Sequence, residues 1–355
     1  MKKIVKGMLV LSVGVLLAGC SCNKNDEDVT PQISQVYDTN KVFDDVSTNL
    51  QEMYEETKQS TVRVLAGPQL GSGVVYKEEG NYAYILTNAH VVTDKTGNEY
   101  YKNIEIVFSN YVRVKGTCIN FDKNEDVAVI SVAKSDNYKV ADIIGSDTDV
   151  KIGESVYSIG NPRGDYFSVT TGVISANRIE TTTDYISGST ATTTYVYNST
   201  ATINSGNSGG PMFNSDGKLI AINSMQPSDT TIRNYNYSIP VNYFIKVANY
   251  LVNNYQNHTS YTKAKLNIEG ESIVNYSVSD LSLLGITVKK GVYITNTSEE
   301  GLTKGRIITH VEGNEIATWS DFEFELLKYG KGEKVTITTT DIVGTNAKPI
   351  TLEMK

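Results

Sequence analysis

A mostly β protein built on two packed barrels is what this sequence predicts, on three observations. Its aromatic content lies in 23 Tyr against 8 Phe and 1 Trp, and Tyr and Thr suit pleated, half-buried surfaces. From Thr61 to about Asn242 short strand-like segments recur, with turn residues in nearly every gap. Some runs, such as Val127-Ala128-Val129-Ile130, are continuously apolar rather than alternating, as in strands enclosed within closed barrels.

At 355 residues the chain is long enough for two folded units and a tail. Residues 1–20 stand apart. Lys2, Lys3 and Lys6 precede an apolar run from Met8 to Ala18, shorter than the ~20 residues of a spanning helix and right for the apolar region of a signal peptide. The run ends in Leu17-Ala18-Gly19-Cys20, which resembles the lipobox of bacterial lipoproteins, so lipidation of Cys20 and anchoring on the outer face of a membrane are expected. Residues 21–45 are polar and acidic and read as a flexible tether. Val46, Leu50, Met53 and Tyr54 then mark a short amphipathic helix to Lys58.

The main body, residues 46–255, has expected strands at Thr61–Ala66, Gly73–Tyr76, Ala83–Thr87, Ile104–Phe108, Val127–Ser131 and Val156–Ile159, and a closing helix at Tyr243–Tyr255. Gln256 to Thr262 reads as a linker. Residues 263–355 form a small α+β module, with strands near Gly291–Asn296, Arg306–Val311 and Lys334–Thr340 and a helix near Ser320–Leu327. The net charge of -8, from 32 basic and 40 acidic residues scattered together, leaves no basic face for nucleic acid. With Cys22 and Cys118 outside any Cys/His cluster and three His in the chain, no metal site or cofactor is expected. A Cys22–Cys118 disulfide has no supporting spacing.

Chemistry concentrates in Gly206-Asn207-Ser208-Gly209-Gly210-Pro211. Glycines flanking a serine let backbone N–H groups converge beside the hydroxyl, an oxyanion hole assembled from the Gly206-Asn207-Ser208 stretch with the N–H groups of Gly206 and Ser208 as donors. A serine hydroxyl needs a base. His90 is the one histidine in the barrel region; His258 lies in the linker and His310 in the last module. The imidazole needs a carboxylate, and Asp126, opening a buried strand where a carboxylate must be paired, fits best. Asp122 and Glu125 read as solvated turn residues, Asp142 and Asp147 as loop acids.

The order His90, Asp126, Ser208, with the strings Thr-Asn-Ala-His-Val-Val, Asp-Val-Ala-Val and Gly-Asn-Ser-Gly-Gly-Pro, resembles the HtrA/Deg family of trypsin-like serine proteases. Gly71-Ser72-Gly73, Ile159-Gly160-Asn161-Pro162, Thr171-Gly172-Val173-Ile174-Ser175 and Ser238-Ile239-Pro240-Val241-Asn242 agree with it. The resemblance implies a chymotrypsin/trypsin-like double β-barrel, two six-stranded barrels with a catalytic triad in the cleft, followed by a PDZ-like domain. It also implies a homo-trimer or higher oligomer acting on unfolded polypeptide substrates. Where the family reads Thr-Asp-Ala-Ala-Ile-Asn-Pro before the serine motif, this chain has Ser199-Thr200-Ala201-Thr202-Ile203-Asn204-Ser205, without the Asp and the Pro. Thr202 stands where enzymes selecting Lys or Arg carry Asp, which argues for small or aliphatic side chains in a pocket formed by Thr202 and Ile203 with Ile222, Asn223 and Ser224. In the PDZ-like module Leu266, Asn267 and Ile268 occupy the peptide-carboxylate loop, with Asn267 in place of Gly and Arg306 in place of Asp; a cap without a ligand is the plainer reading. The rival from another class is a catalytically inactive surface protein that binds peptides or acts as a chaperone on a protease fold. A small-ligand lipoprotein is disfavoured, because nothing suggests two lobes.

Overall fold

The computed structural model describes residues 49–183, 192–225, 236–256 and 260–355. The expected leader, the tether, Cys20, Cys22 and His258 lie outside them, as does the start of the first helix, α1, which is described over residues 49–57. None of the described helices is long and apolar enough to cross a membrane.

The first barrel comprises β1 (Thr61–Ala66), β2 (Gln69–Glu79), β3 (Tyr82–Thr87), β4 (Ile104–Val107), β5 (Arg113–Asp122) and β6 (Val127–Ala133), closed in the order β1-β2-β3-β6-β5-β4. The second comprises β7 (Ser155–Gly160), β8 (Ser168–Thr183), β9 (Thr192–Ser199), β10 (Pro211–Asn214), β11 (Leu219–Met225) and β12 (Asn236–Pro240), closed as β10-β11-β12-β9-β8-β7. The apolar run in β6 shows why closure demands such sequences. Ala128, Ile130 and Val132 fill the first barrel with Val62, Val64, Ile85 and Ile106. Val127 and Val129, on the opposite face, join the core of the second barrel. Both faces of the strand are therefore dry, and alternation disappears.

A four-residue helix, α2 (Ala89–Val92), follows β3, and α3 (Val241–Asn253) closes the second barrel. Helix α3 buries Val241, Phe244, Val247, Ala248 and Leu251 at three- and four-residue steps. Cys118 is a free thiol enclosed in the first barrel, and burial pushes its pKa up to about 12, which leaves it unreactive.

The C-terminal module is a sheet of β13 (Ile268–Ser272), β14 (Val292–Thr297), β15 (Ile307–Val311), β17 (Lys334–Thr340) and β18 (Lys348–Glu353), with β16 (Asn314–Glu315) paired to β15. Helices α4 (Val278–Leu284) and α5 (Trp319–Leu326) complete it. Thr318 and Asp321 form a capping box that starts α5. Val46–Lys355 belongs to one compact unit, and the module touches the barrels where Phe324 meets Tyr195 edge-on at 6.3 Å and Lys246 donates to the Leu327 carbonyl at 2.8 Å.

Candidate active site

Three side chains arrive from three connections. His90 sits in α2, after β3. Asp126 ends the turn between β5 and β6, and Ser208 lies between β9 and β10 of the second barrel. The Asp126 carboxylate is fully enclosed and takes His90 Nδ1 at 3.0 Å through Oδ1 and 2.9 Å through Oδ2, together with the His90 backbone N–H at 3.0 Å. Its backbone adopts φ 54°, a strained left-handed conformation for a residue with a Cβ. Asn88 Nδ2 donates to its carbonyl at 3.0 Å and helps hold it. The His90 side chain is 28% exposed. Burial alone would lower its pKa, but the charge of Asp126 and its hydrogen bond outweigh that and raise it.

Ser224 joins the two halves of the site. Its hydroxyl donates to Asp126 Oδ2 at 3.2 Å, and its carbonyl accepts the Ser208 hydroxyl at 3.1 Å. Among the described residues no hydrogen bond links Ser208 to the His90 ring, so the hydroxyl rests on Ser224. The pairing of β11 with β12 shifts register between Asn223 and Met225, which leaves Ser224 as a bulge. Bulges re-aim groups near sites in this way.

The loop before Ser208 is tightly determined. Gly206 and Gly209 have φ 104° and 80°. A Cβ on Gly206 would lie 2.3 Å from the Asn161 carbonyl, and one on Gly209 would lie 2.3 Å from Ser72 O. The Ser205 carbonyl accepts from Arg163 N–H at 3.2 Å. Because the peptide is planar and trans, the Gly206 N–H points the opposite way, and neither it nor the Ser208 N–H is engaged among the described residues. Asn207 does not share this role: its N–H is consumed by the Asn204 carbonyl at 2.9 Å. The altered segment is anchored by Thr200 Oγ1, which accepts Val173 N–H at 2.9 Å, and by Asn236 Oδ1, which accepts Ile203 N–H at 3.0 Å.

Ser72 is a hub that motif reading notes only as part of Gly71-Ser72-Gly73. Fully buried, it donates its N–H to Ser208 O at 2.9 Å and its hydroxyl to Gly206 O at 2.7 Å, and it accepts from Asn161 N–H at 3.0 Å. The signal was the flanking glycines, since a Cβ at Gly71 would meet Val91 at 2.5 Å.

The expected pocket residues separate. Thr202 is exposed and Ile203 buried. Ile222 and Asn223 are fully enclosed rather than lining a pocket wall. Ile222 belongs to the second barrel's core, and Asn223 accepts the hydroxyls of Ser158 at 3.2 Å and Ser238 at 3.1 Å. Asp122 and Glu125 are also corrected: at 1% and 4% exposure they are buried, because the linker folds over them. In the C-terminal module Leu266 packs into the core, and Ile268 pairs with Thr297. The Asn267 N–H, expected for a peptide carboxylate, is instead taken by Glu299 at 2.7 Å, and Lys355 holds that carboxylate at 2.8 Å.

Comparison with known proteins agrees with this geometry. A model of the trypsin-like peptidase domain matches residues 71–222. The Serine protease Do-like HtrA of Bacillus subtilis (strain 168) is 32% identical over 269 residues, 74% of this chain. The chain is a homologue of the HtrA serine proteases. A Serine protease HtrA-like protein of Staphylococcus aureus (strain MRSA252) is 30% identical over 308 residues, 82% of this chain. The chain spans 58% of the length of the B. subtilis relative and 38% of the S. aureus one. The solved structure of the HtrA-type protease AlgW with tripeptide shares its fold, with a TM-score of 0.58 at 20% identity over 86% of this chain and 95% of that one.

Proposed function

We propose that this HtrA homologue is a serine endopeptidase that cleaves unfolded or damaged extracytoplasmic polypeptides through an acyl-enzyme. The observation that carries the reading is the enclosed Asp126 carboxylate on His90 Nδ1, joined through Ser224 to Ser208, whose own N–H and that of Gly206 are unengaged among the described residues. Ser208 attacks the scissile carbonyl. His90 takes the hydroxyl proton on Nε2 and returns it to the leaving amine, while Asp126 holds the tautomer and stabilises the imidazolium. Gly206 and Ser208 N–H groups receive the oxyanion. Lipidated Cys20 would tether the enzyme to the outer face of a bacterial membrane. Self-association goes with the family, and Tyr111 and Tyr166, 68% and 44% exposed with rings 5.5 Å apart, offer an apolar patch for it.

The test is covalent. A fluorophosphonate probe is expected to label purified protein once, at Ser208, and to stop cleavage of casein in proportion. An unlabelled, inactive protein would favour the peptide-binding alternative. Because His90 must be neutral to act as base, activity should fall as pH drops through its raised pKa. The acid limb of kcat/KM is therefore expected to have its midpoint above the ordinary histidine value of 6.5, and a midpoint below it would contradict the Asp126 assignment.

A further inference from the structure

Both acids beside Asp126 are gripped by the segment that leads to the C-terminal module. Asp122 Oδ1 accepts the N–H groups of Asn124 at 2.9 Å and Glu125 at 3.0 Å, which shapes the turn. Its Oδ2 accepts Tyr261 N–H at 2.7 Å. Glu125 accepts the Tyr243 hydroxyl from α3 at 2.7 Å and the Lys263 ammonium at 3.3 Å. Tyr261 stacks edge-on against Tyr243 at 6.3 Å and Tyr250 at 5.4 Å. The five residues from Asp122 to Asp126 are thus fastened at two points to the linker.

We infer that residues 261–263 form a positioning strap that holds the Asp126 turn and so keeps the triad aligned. The inference rests on the protease reading. Asp126 sits in a left-handed conformation, φ 54°, that a residue with a Cβ holds only where its surroundings over-determine it. The groups that over-determine it on the side away from His90 are Glu125, with Tyr243 and Lys263 facing it, and Asp122, with Tyr261 facing it. Lys263 also balances the buried Glu125 charge, whose protonation burial otherwise favours. Loss of the strap loosens the turn, and the carboxylate then leaves the line of the His90 Nδ1 proton.

The experiment compares the full chain with Lys263→Met, Lys263→Arg, Glu125→Gln and the Lys263→Met/Glu125→Gln double variant. For Lys263→Met, kcat is expected to fall about tenfold to a hundredfold with KM unchanged, and the acid limb to move to lower pH as the Asp126 carboxylate draws away from His90. Lys263→Arg should restore both, and the double variant should lose no more than the worse single one. Thermal midpoints run alongside. A lower midpoint with an unchanged acid limb and kcat would mean the contact only stabilises the fold, and would overturn the inference. Titration of the His90 ring by NMR reads the same shift without turnover. If wild-type protein neither cleaves nor labels, the protease reading fails. The strap still stands or falls on whether Lys263→Met lowers the His90 pKa.

Discussion

Ser208→Ala is expected to reduce kcat for polypeptide hydrolysis on the order of 10⁶-fold, the scale of loss when a nucleophile is removed from a unit of hydroxyl, imidazole and carboxylate. Little else should change. Ser208 is partly buried, and its hydroxyl makes one described contact, with the Ser224 carbonyl at 3.1 Å. The backbone that carries it is fixed independently by Ser72, which donates to Ser208 O at 2.9 Å. The variant should therefore fold, bind polypeptide with wild-type KM in any residual reaction, and fail to react with a fluorophosphonate. Retained cleavage at more than a hundredth of the wild-type rate would remove Ser208 from the nucleophile's place.

Asp126→Asn should cost about 10⁴-fold in kcat while leaving the architecture intact. In the wild type Oδ1 receives the His90 backbone N–H and Oδ2 faces both His90 Nδ1 and the Ser224 hydroxyl. An asparagine that keeps its oxygen on the backbone N–H must turn its NH₂ to Nδ1. The imidazole then holds its proton on Nε2, facing the nucleophile, and cannot act as base. With the carboxylate charge gone, the His90 pKa should fall as well, so the residual activity should show its acid limb at lower pH than wild type. A variant that loses activity yet keeps the wild-type limb would place the controlling charge elsewhere.

How much of this was legible in the sequence varies with the range of the interaction. Thr61–Ala66 and Lys334–Thr340 occur as strands at their expected bounds, because local pattern and tertiary burial agree there. The serine turn was readable because its glycines are required within a few residues of the hydroxyl. The errors lie where a partner is distant in the chain. Asp122 and Glu125 read as solvated turn acids, yet they are covered by a linker some 139 residues further on. The Asn267 N–H was assigned to a peptide, and a glutamate 32 residues away holds it. Asn223 and Ile222 alternate in β11 as pocket residues would, but a closed barrel takes both faces of that strand, one into apolar core and the other into a buried polar cluster with Ser158 and Ser238. Ser224 was read as a wall and proves to touch both ends of the catalytic set; no spacing rule announces a bulge.

That bulge brings the Ser224 carbonyl within reach of the nucleophile. While the Ser208 hydroxyl donates to it, the proton of the nucleophile points at Ser224 and not at His90. For the proposed attack, the hydroxyl must therefore leave this carbonyl and donate to His90 instead, so arming the nucleophile costs one hydrogen bond that the resting site already holds.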